Sequence, residues 1–240
     1  MTWSEVIGQE EAKERLMQMV SEDRLPHAMM LCGPVGSGKL ALAIAFGCQL
    51  LDDGKPSSKA MLQKLEHPDL HFTYPTIKLP SMKSDYKPVS DDFAKEWHEL
   101  VMQSPYFTME EWMEAMGGEN QQAIITAGES DSLVRKLSLK SSQGGYKVSI
   151  IWLPERMNIE CANKLLKLIE EPPQQTVFIM VSEEPEKLLE TIRSRVQRID
   201  IRKTEQDAIR QALIERRGCD EDSAQRISRL VNGNCIAAME

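Results

Sequence analysis

Residues 33–39, with the sequence GPVGSGK, have the residue types and the spacing that bind a nucleotide phosphate. In the pattern G-x-x-x-x-G-K, backbone N–H groups and the N-terminus of the following helix surround the phosphates, and the lysine reaches between them. An apolar run before these residues predicts a buried strand, and a long helix is expected from about residue 39 to 51. This order of strand, glycine-rich turn and helix is typical of nucleotide-binding α/β units. The residues predicted to form this phosphate-binding loop (P-loop) are Gly33, Pro34, Gly36, Ser37, Gly38 and Lys39.

Two features that nucleotide hydrolysis needs are absent from the sequence. The residue after Lys39 should be Ser or Thr, whose hydroxyl coordinates Mg²⁺, but it is Leu40. The buried strand that should end in an acidic pair ends in Trp152 and Leu153, and Glu155 comes a few residues late. We therefore expect a P-loop that is retained as a structural loop, with weak or absent ATP binding and no hydrolysis. The alternative is an active ATPase with unorthodox metal ligands, such as Glu155.

The apolar runs and helical periodicities along the chain predict an α/β fold. Strands are predicted at residues 28–32, 147–153, 176–181 and 196–201. Helices are predicted at residues 9–20, 39–51, 158–170 and 185–194. Strands that alternate with helices form a parallel sheet with helices on both faces. Two further amphipathic helices, at about 204–216 and 220–231, predict a small all-helical domain that follows the sheet.

The chain divides into two predicted domains, an α/β domain over residues 1–202 and a small helical lid over residues 203–240. Residues 52–122 interrupt the alternation of strands and helices. They are predicted to form an insertion with short helices near 90–103 and 108–116. We expect the aromatic residues of this insertion to pack into a satellite core, the alternative being a face that binds a partner. These residues are Trp97, Tyr106, Phe107 and Trp112.

The charge and cysteine content of the sequence exclude several classes of protein. With 29 Lys and Arg against 37 Asp and Glu, the net charge of −8 argues against a broad basic surface that binds nucleic acid by itself. Five cysteines, no two closer than 16 residues, form neither a CxxC metal site nor a disulfide framework. His67 and His71 have helical spacing, but Pro68 lies between them, so no zinc or other metal site is expected. The sequence predicts neither a membrane span nor a secretory signal, and a cytoplasmic protein is expected.

Four phrases of the sequence together resemble bacterial clamp-loader subunits of the AAA+ class, which are parts of DNA polymerase III. They are VIGQE at residues 6–10, RLPHA at 24–28, ANKLLKLIEEPP at 162–173 and EKLLETIRSR at 186–195. The chain departs from the family's Ser-Arg-Cys pattern only at Val196. The resemblance covers most of residues 4–240 outside the insertion, and it implies a P-loop AAA+ fold.

The resemblance implies that the chain lacks residues of its own nucleotide site but retains an arginine that acts on a neighbouring subunit. Motor subunits of the family keep a Thr after the P-loop lysine and an acidic pair, whereas stationary delta-prime subunits commonly lack them, and this chain is similar to the latter. The family's Gly-x-x-Arg, whose arginine touches the nucleotide in cis, corresponds to residues 233–236, with Ile236 in place of the arginine. Ser194 and Arg195 are retained, which implies that Arg195 reaches in trans the ATP of a neighbouring motor subunit. The alternative is that Arg195 only caps its helix or pairs with an acid.

The resemblance implies a non-catalytic subunit that helps to place a sliding clamp on primed DNA during replication. Its implied partners are gamma/tau-type motor subunits and a delta subunit, and the clamp and the primer-template DNA are met through the assembly. Loader subunits carry a further helical collar domain, so residues 1–240 are expected to be the AAA+ module without that collar. A structural adaptor unrelated to replication is the remaining alternative.

Overall fold

The computed structural model describes residues 1–118, 121–142 and 144–240 of the chain, and its centre is a five-stranded sheet. The strands are β1 (Ala28–Cys32), β2 (Leu70–Thr73), β3 (Lys147–Trp152), β4 (Thr176–Ser182) and β5 (Gln197–Asp200). Their spatial order is β2-β3-β4-β1-β5, and every neighbouring pair is parallel. β1, β3 and β4 are buried along their whole length because they lie inside the sheet and helices cover both faces. The four strands predicted from the sequence are confirmed.

The helices pack on the two faces of the sheet and at one end of it. They are α1 (Glu10–Ser21), α2 (Lys39–Leu51), α3 (Pro56–Gln63), α4 (Ala94–Gln103), α5 (Met109–Ala115), α6 (Ala127–Ser138), α7 (Ile159–Glu170), α8 (Glu190–Arg193), α9 (Gln206–Arg217), α10 (Glu221–Leu230) and α11 (Cys235–Met239). Side chains alternate along β1, so that Met29 and Leu31 join the core that contains α2, whereas Met30 joins the core that contains α7. The sheet therefore separates two hydrophobic cores, and α2 is buried on nearly every side.

The segment from residue 52 to 122 contributes an edge strand to the sheet, which the sequence does not predict. β2 pairs with β3 in parallel register, from Leu70 opposite Val148 to Thr73 opposite Ile151. The strand has only four residues, and two of them are half-exposed because they lie at the sheet edge. So short and polar a stretch has no clear apolar run. The two short helices predicted in this segment are confirmed as α4 and α5.

The aromatic residues of the same segment form a buried cluster with a residue of the sheet. Trp97 lies at its centre, with ring centroids 4.0 Å from Tyr74, 5.2 Å from Trp112 and 5.4 Å from Trp152. Phe107 meets Trp152 edge-on at 5.3 Å. Stacked and edge-on pairs of this kind add about 0.5–1.5 kcal/mol each beyond the burial of their surface. These residues are packed in a core as predicted, but the core is not a satellite, because they belong to the same buried cluster as α2 and the sheet. The packing joins the segment to the end of β3.

The lid consists of α9, α10 and α11, and the two longer helices confirm the helical pair predicted from the sequence. α9 ends at Gly218, whose φ of 65° lies in the left-handed region that favours glycine. α10 begins at Asp220, whose carboxylate accepts a hydrogen bond of 3.0 Å from the Ser223 N–H. Within the parts of the chain that the structure describes, no helix has the length and apolar character needed to cross a membrane.

Replacement of Trp112 by Ala is expected to lower the free energy of unfolding by about 3–5 kcal/mol, because the fully buried ring leaves a cavity in the aromatic cluster. The change also removes the 2.8 Å hydrogen bond from the indole N–H to the buried Pro75 carbonyl. Chemical denaturation followed by circular dichroism measures the loss. Leu139→Ala, at a side chain that is 68% exposed, is the control and is expected to change stability by less than about 0.5 kcal/mol. A loss below about 1 kcal/mol for Trp112→Ala would contradict a rigid cluster.

Candidate functional site

The P-loop lies between the end of β1 and the start of α2, as the sequence predicts. Gly38 is the N-cap residue of α2 with a φ of 80°, and Gly36 has a φ of 75°. Both values belong to the left-handed region, which glycine enters without the steric penalty of a Cβ atom. The two glycines therefore allow the chain to turn sharply from the strand into the helix.

Lys39 is buried, and its ammonium group binds the loop itself. Nζ donates a hydrogen bond of 2.6 Å to Pro34 O and one of 3.3 Å to the Ser37 hydroxyl. Burial lowers the pKa of Lys39, and the nearby carboxylate of Glu183, directly after β4, opposes that shift. Burial raises the pKa of Glu183, and Lys39 opposes that shift in turn. The lysine that would reach between phosphates is thus satisfied within its own chain.

Two aromatic residues that lie between α4 and α5 occupy the space beside the P-loop. A methyl group at Gly38 would come within 3.3 Å of the Tyr106 ring. The Tyr106 hydroxyl accepts a hydrogen bond of 2.7 Å from the Ile7 N–H, and burial raises the pKa of Tyr106. Phe107, which follows it, is part of the aromatic cluster around Trp152. These rings are held in place by the core and by a backbone hydrogen bond.

The lid closes the P-loop from the other side. The Cys235 N–H donates a hydrogen bond of 2.7 Å to Gly36 O. Asn234 lies so close to Gly36 that any Cβ atom at residue 36 would overlap its Oδ1. That oxygen also caps α11, because it accepts hydrogen bonds from the N–H groups of Ile236 and Ala237 at 3.0 and 3.2 Å. The first turn of α11 therefore lies directly against the loop.

The cavity that remains at the P-loop has a volume of about 30 Å³. Pockets that bind small molecules are typically about 300 Å³ or larger. Leu40, Trp152 and Ile236, which the sequence singles out separately as lost nucleotide-site residues, all line this cavity. The structure thus brings the three positions together, and the residues present do not fit a nucleotide.

Sequence reasoning misses the role of the residues that close the site most directly, Tyr106 and Asn234. The sequence assigns Tyr106 to core packing, which is correct, but nothing local indicates that the core extends to the P-loop. Asn234 stands in a segment that is notable in the sequence only for its missing arginine. The one local signal is the order Asn-Gly-Asn before a short apolar helix, which predicts a helix cap and no more.

Glu155, the candidate for an unorthodox metal ligand, has both carboxylate oxygens engaged. Oε2 accepts a hydrogen bond of 2.9 Å from the Ser182 hydroxyl. Oε1 accepts from the backbone N–H groups of Glu183 and Glu184 at 2.8 and 3.1 Å. These contacts fix the chain where it leaves β4. The side chain therefore has a structural task that competes with metal binding.

The histidine pair also lacks the geometry of a metal site. His71 belongs to β2, and His67 precedes that strand, so the two do not share a helix. The Nδ1 atom of His67 accepts a hydrogen bond of 3.2 Å from the Asp69 N–H. Across residues 1–118, 121–142 and 144–240, no group of three or more His, Cys, Asp and Glu side chains is arranged to hold a metal ion.

Arg195 follows α8 and is separate from the P-loop cavity. Its Nη1 donates hydrogen bonds to Thr191 O over 3.0 Å and to the Ser194 hydroxyl over 3.4 Å. Its Nε lies 2.8 Å from Oε1 of Glu170, and 42% of the side chain remains exposed. Both contacts of the simpler alternative, a helix cap and an acidic partner, are therefore present. They leave a large part of the guanidinium side chain accessible.

A family model for "DNA polymerase III, delta subunit" matches residues 8–205. The chain belongs to this family. It is 26% identical to a DNA polymerase III subunit delta' of Bacillus subtilis, over 96% of this chain and 57% of the relative. It is 28% identical to one of Pseudomonas aeruginosa, over 70% of this chain and 41% of the relative. The chain thus spans about half the length of these relatives, and the delta-prime resemblance seen in its motifs is confirmed.

A structural relative confirms the fold class. The Holliday junction branch migration motor RuvB of Thermotoga maritima aligns with a TM-score of 0.55 over 99% of this chain and 61% of the other. The sequence identity is 18%, so the likeness concerns the fold alone. The predicted P-loop AAA+ sheet flanked by helices is confirmed by this likeness and by the sheet topology.

Gly36→Ala is expected to release the lid from the P-loop and to expose the Cys235 thiol. Burial raises the pKa of Cys235 to about 11, so in the native chain this thiol is protonated, inaccessible and slow to react at about pH 8. A methyl group at residue 36 overlaps Asn234, and the lid must move to admit it. Labelling with a maleimide, read by mass spectrometry in a Cys219→Ser background, measures the exposure.

Gly145→Ala is the matched control for this experiment, since a Cβ atom at Gly145 meets nothing within 4 Å. It should leave the labelling rate of Cys235 unchanged. Equal labelling rates in Gly36→Ala and in the parent chain would contradict the closed contact between the lid and the loop.

Proposed function

We propose that the chain is the AAA+ part of a non-catalytic clamp-loader subunit of DNA polymerase III. Its family and its delta-prime relatives support this assignment. In the proposed assembly it binds gamma/tau-type motor subunits and a delta subunit, and it supplies Arg195 in trans to the ATP of a motor subunit. The assembly places a sliding clamp on primed DNA.

The closed P-loop is the observation that carries the non-catalytic role. A nucleotide could enter only if the Tyr106 ring and the first turn of α11 both moved away. That movement breaks the hydrogen bonds from Ile7 to Tyr106 and from Cys235 to Gly36, each with a net contribution of about 1 kcal/mol. It also exposes part of the aromatic cluster to water. These costs oppose nucleotide binding in cis and support a loop that serves the fold.

The connection between the two domains supports a stationary subunit. The Gln9 side-chain amide donates hydrogen bonds to Ser37 O at 2.9 Å, to Arg202 O at 2.8 Å and to the Thr204 hydroxyl at 3.3 Å. One side chain thus joins the P-loop to the segment that leads into the lid. Together with the contact of Cys235 and Gly36, it holds the lid without any nucleotide.

The accessibility of Arg195 supports its role in trans. The Thr191 carbonyl and the Glu170 carboxylate, which both contact it, leave 42% of its side chain exposed to an approaching subunit. An arginine supplied in trans stabilises the charge on the transferring phosphoryl group and accelerates the reaction by about 10³ to 10⁵. The net charge of −8 fits a subunit whose main surface meets protein, with DNA held by the whole assembly.

The closed P-loop predicts that the chain by itself binds no ATP. Equilibrium titration with a fluorescent ATP analogue, with and without Mg²⁺, measures this, and a motor subunit under the same conditions is the positive control. Binding at micromolar concentrations that requires Mg²⁺ would instead support the alternative, an active ATPase. In that case Glu155→Gln should weaken binding if Glu155 holds the metal.

The trans role predicts that Arg195→Ala slows ATP hydrolysis only at the interface that faces this subunit. The full protein is reconstituted with motor and delta subunits, the clamp and primed DNA, and a single turnover is followed. The fraction of ATP that faces Arg195 should hydrolyse about 10³-fold more slowly or not at all. Arg198→Ala is the control, because Arg198 is an exposed arginine of β5 that pairs with Asp200. Unchanged kinetics in a complete Arg195→Ala assembly would rule out the proposed role.

A further inference from the structure

Arg195 is paired with an acidic residue of its own chain at the surface. Its Nε lies 2.8 Å from Oε1 of Glu170, the last residue of α7, and both side chains are about two-fifths exposed, at 42% and 40%. An ion pair this exposed adds little to the stability of the fold. The ion pair can instead restrict the orientation of the Arg195 side chain.

The stability of α7 does not explain why an acid stands at Glu170. The C-terminus of a helix carries partial negative charge, so a carboxylate there is unfavourable and a cation is favoured. Pro172 holds the preceding residue, Glu171, in a non-helical conformation with a φ of −126°, and the helix ends at a defined point. Glu170 is thus held at a fixed position beside α8. Among the described residues, its one ion-pair partner is Arg195.

The contacts of Arg195 use one part of its guanidinium group and leave another part open. The group is a planar fork with five N–H donors. Nε lies within ion-pair distance of the Glu170 carboxylate and Nη1 donates to Thr191 O, whereas Nη2 makes no hydrogen bond to any residue that the structure describes. The hydrogen bond of Nη1 and the ion pair of Nε together restrict the orientation of the fork. Nη2 is then available to an acceptor from outside the chain, and a phosphate oxygen is a strong one.

We propose that Glu170 is a positioning residue, which holds Arg195 with Nη2 directed at the phosphates of an ATP bound to the neighbouring motor subunit. This inference rests on the proposed function of Arg195. A free arginine side chain must give up much rotamer freedom when it binds a phosphate. Glu170 removes part of that freedom in advance, so that the transition state is met by an arginine already in place.

The test compares two adjacent glutamates in the reconstituted loader. Glu170→Gln keeps the size of the side chain and removes its charge. Glu171→Gln is the matched control, because the Glu171 side chain makes no ion pair or hydrogen bond within the described residues. Single-turnover hydrolysis is measured at saturating ATP. The rate compared is that of the ATP that faces Arg195, which is the kinetic phase that Arg195→Ala slows or abolishes. We expect Glu170→Gln to slow this phase roughly threefold to tenfold, with the affinity for ATP unchanged. Glu171→Gln should have no effect, and Glu170→Asp should restore part of the rate.

A double-mutant cycle separates positioning from a general structural role. In an Arg195→Ala background, Glu170→Gln is expected to cause no further slowing, because the residue it positions is absent. Equal slowing in both backgrounds, or a rate that is unchanged or faster when Arg195 is intact, would overturn the inference while Arg195→Ala still supports the trans role. If Arg195→Ala itself changes nothing, the proposed function fails and this inference fails with it.

Discussion

The contact between the lid and the P-loop is the constraint on which the rest of the structure depends. The Cys235 N–H binds Gly36 O, and the approach is close enough only because residue 36 has no side chain. The Lys39 ammonium group, which would bind a phosphate, instead donates to Pro34 O within the loop. The loop thus connects β1 and α2 to the three C-terminal helices. This contact contributes to the small volume of the cavity at the P-loop, which Ile236 of the lid also lines.

The sequence predicts the three interior strands and the edge strand β5, and it misses the other edge strand, β2. β1, β3 and β4 are continuous apolar runs because helices cover both of their faces, and such runs stand out against the polar segments around them. β2 is recognised only through its pairing with β3. Two of its four residues are buried and two are half-exposed, and their pattern alone does not distinguish a strand from a loop.

Some residues of the candidate site can be identified from the sequence, and others only from the structure. Leu40, Trp152 and Ile236 are identifiable because each replaces a residue type that the chemistry requires at a known distance from a motif. Tyr106 and Asn234 do not replace anything, and they reach the P-loop through the tertiary fold. The pairing of Arg195 with Glu170 is likewise a contact between distant parts of the chain. Spacing along the chain shows which expected nucleotide-site residues are replaced. Only the tertiary fold shows which side chains occupy the space beside the P-loop.

The packing of Trp152 limits which side chains the end of β3 can hold. This residue stands where an acid of a nucleotide site would stand, and it is also packed against Trp97 and Phe107. A carboxylate placed there by a single substitution would be buried among aromatic rings with no partner, at a cost of several kcal/mol. That is a large part of the stability of an ordinary domain. A metal site at this position therefore requires more than one substitution, because the surrounding rings must change as well.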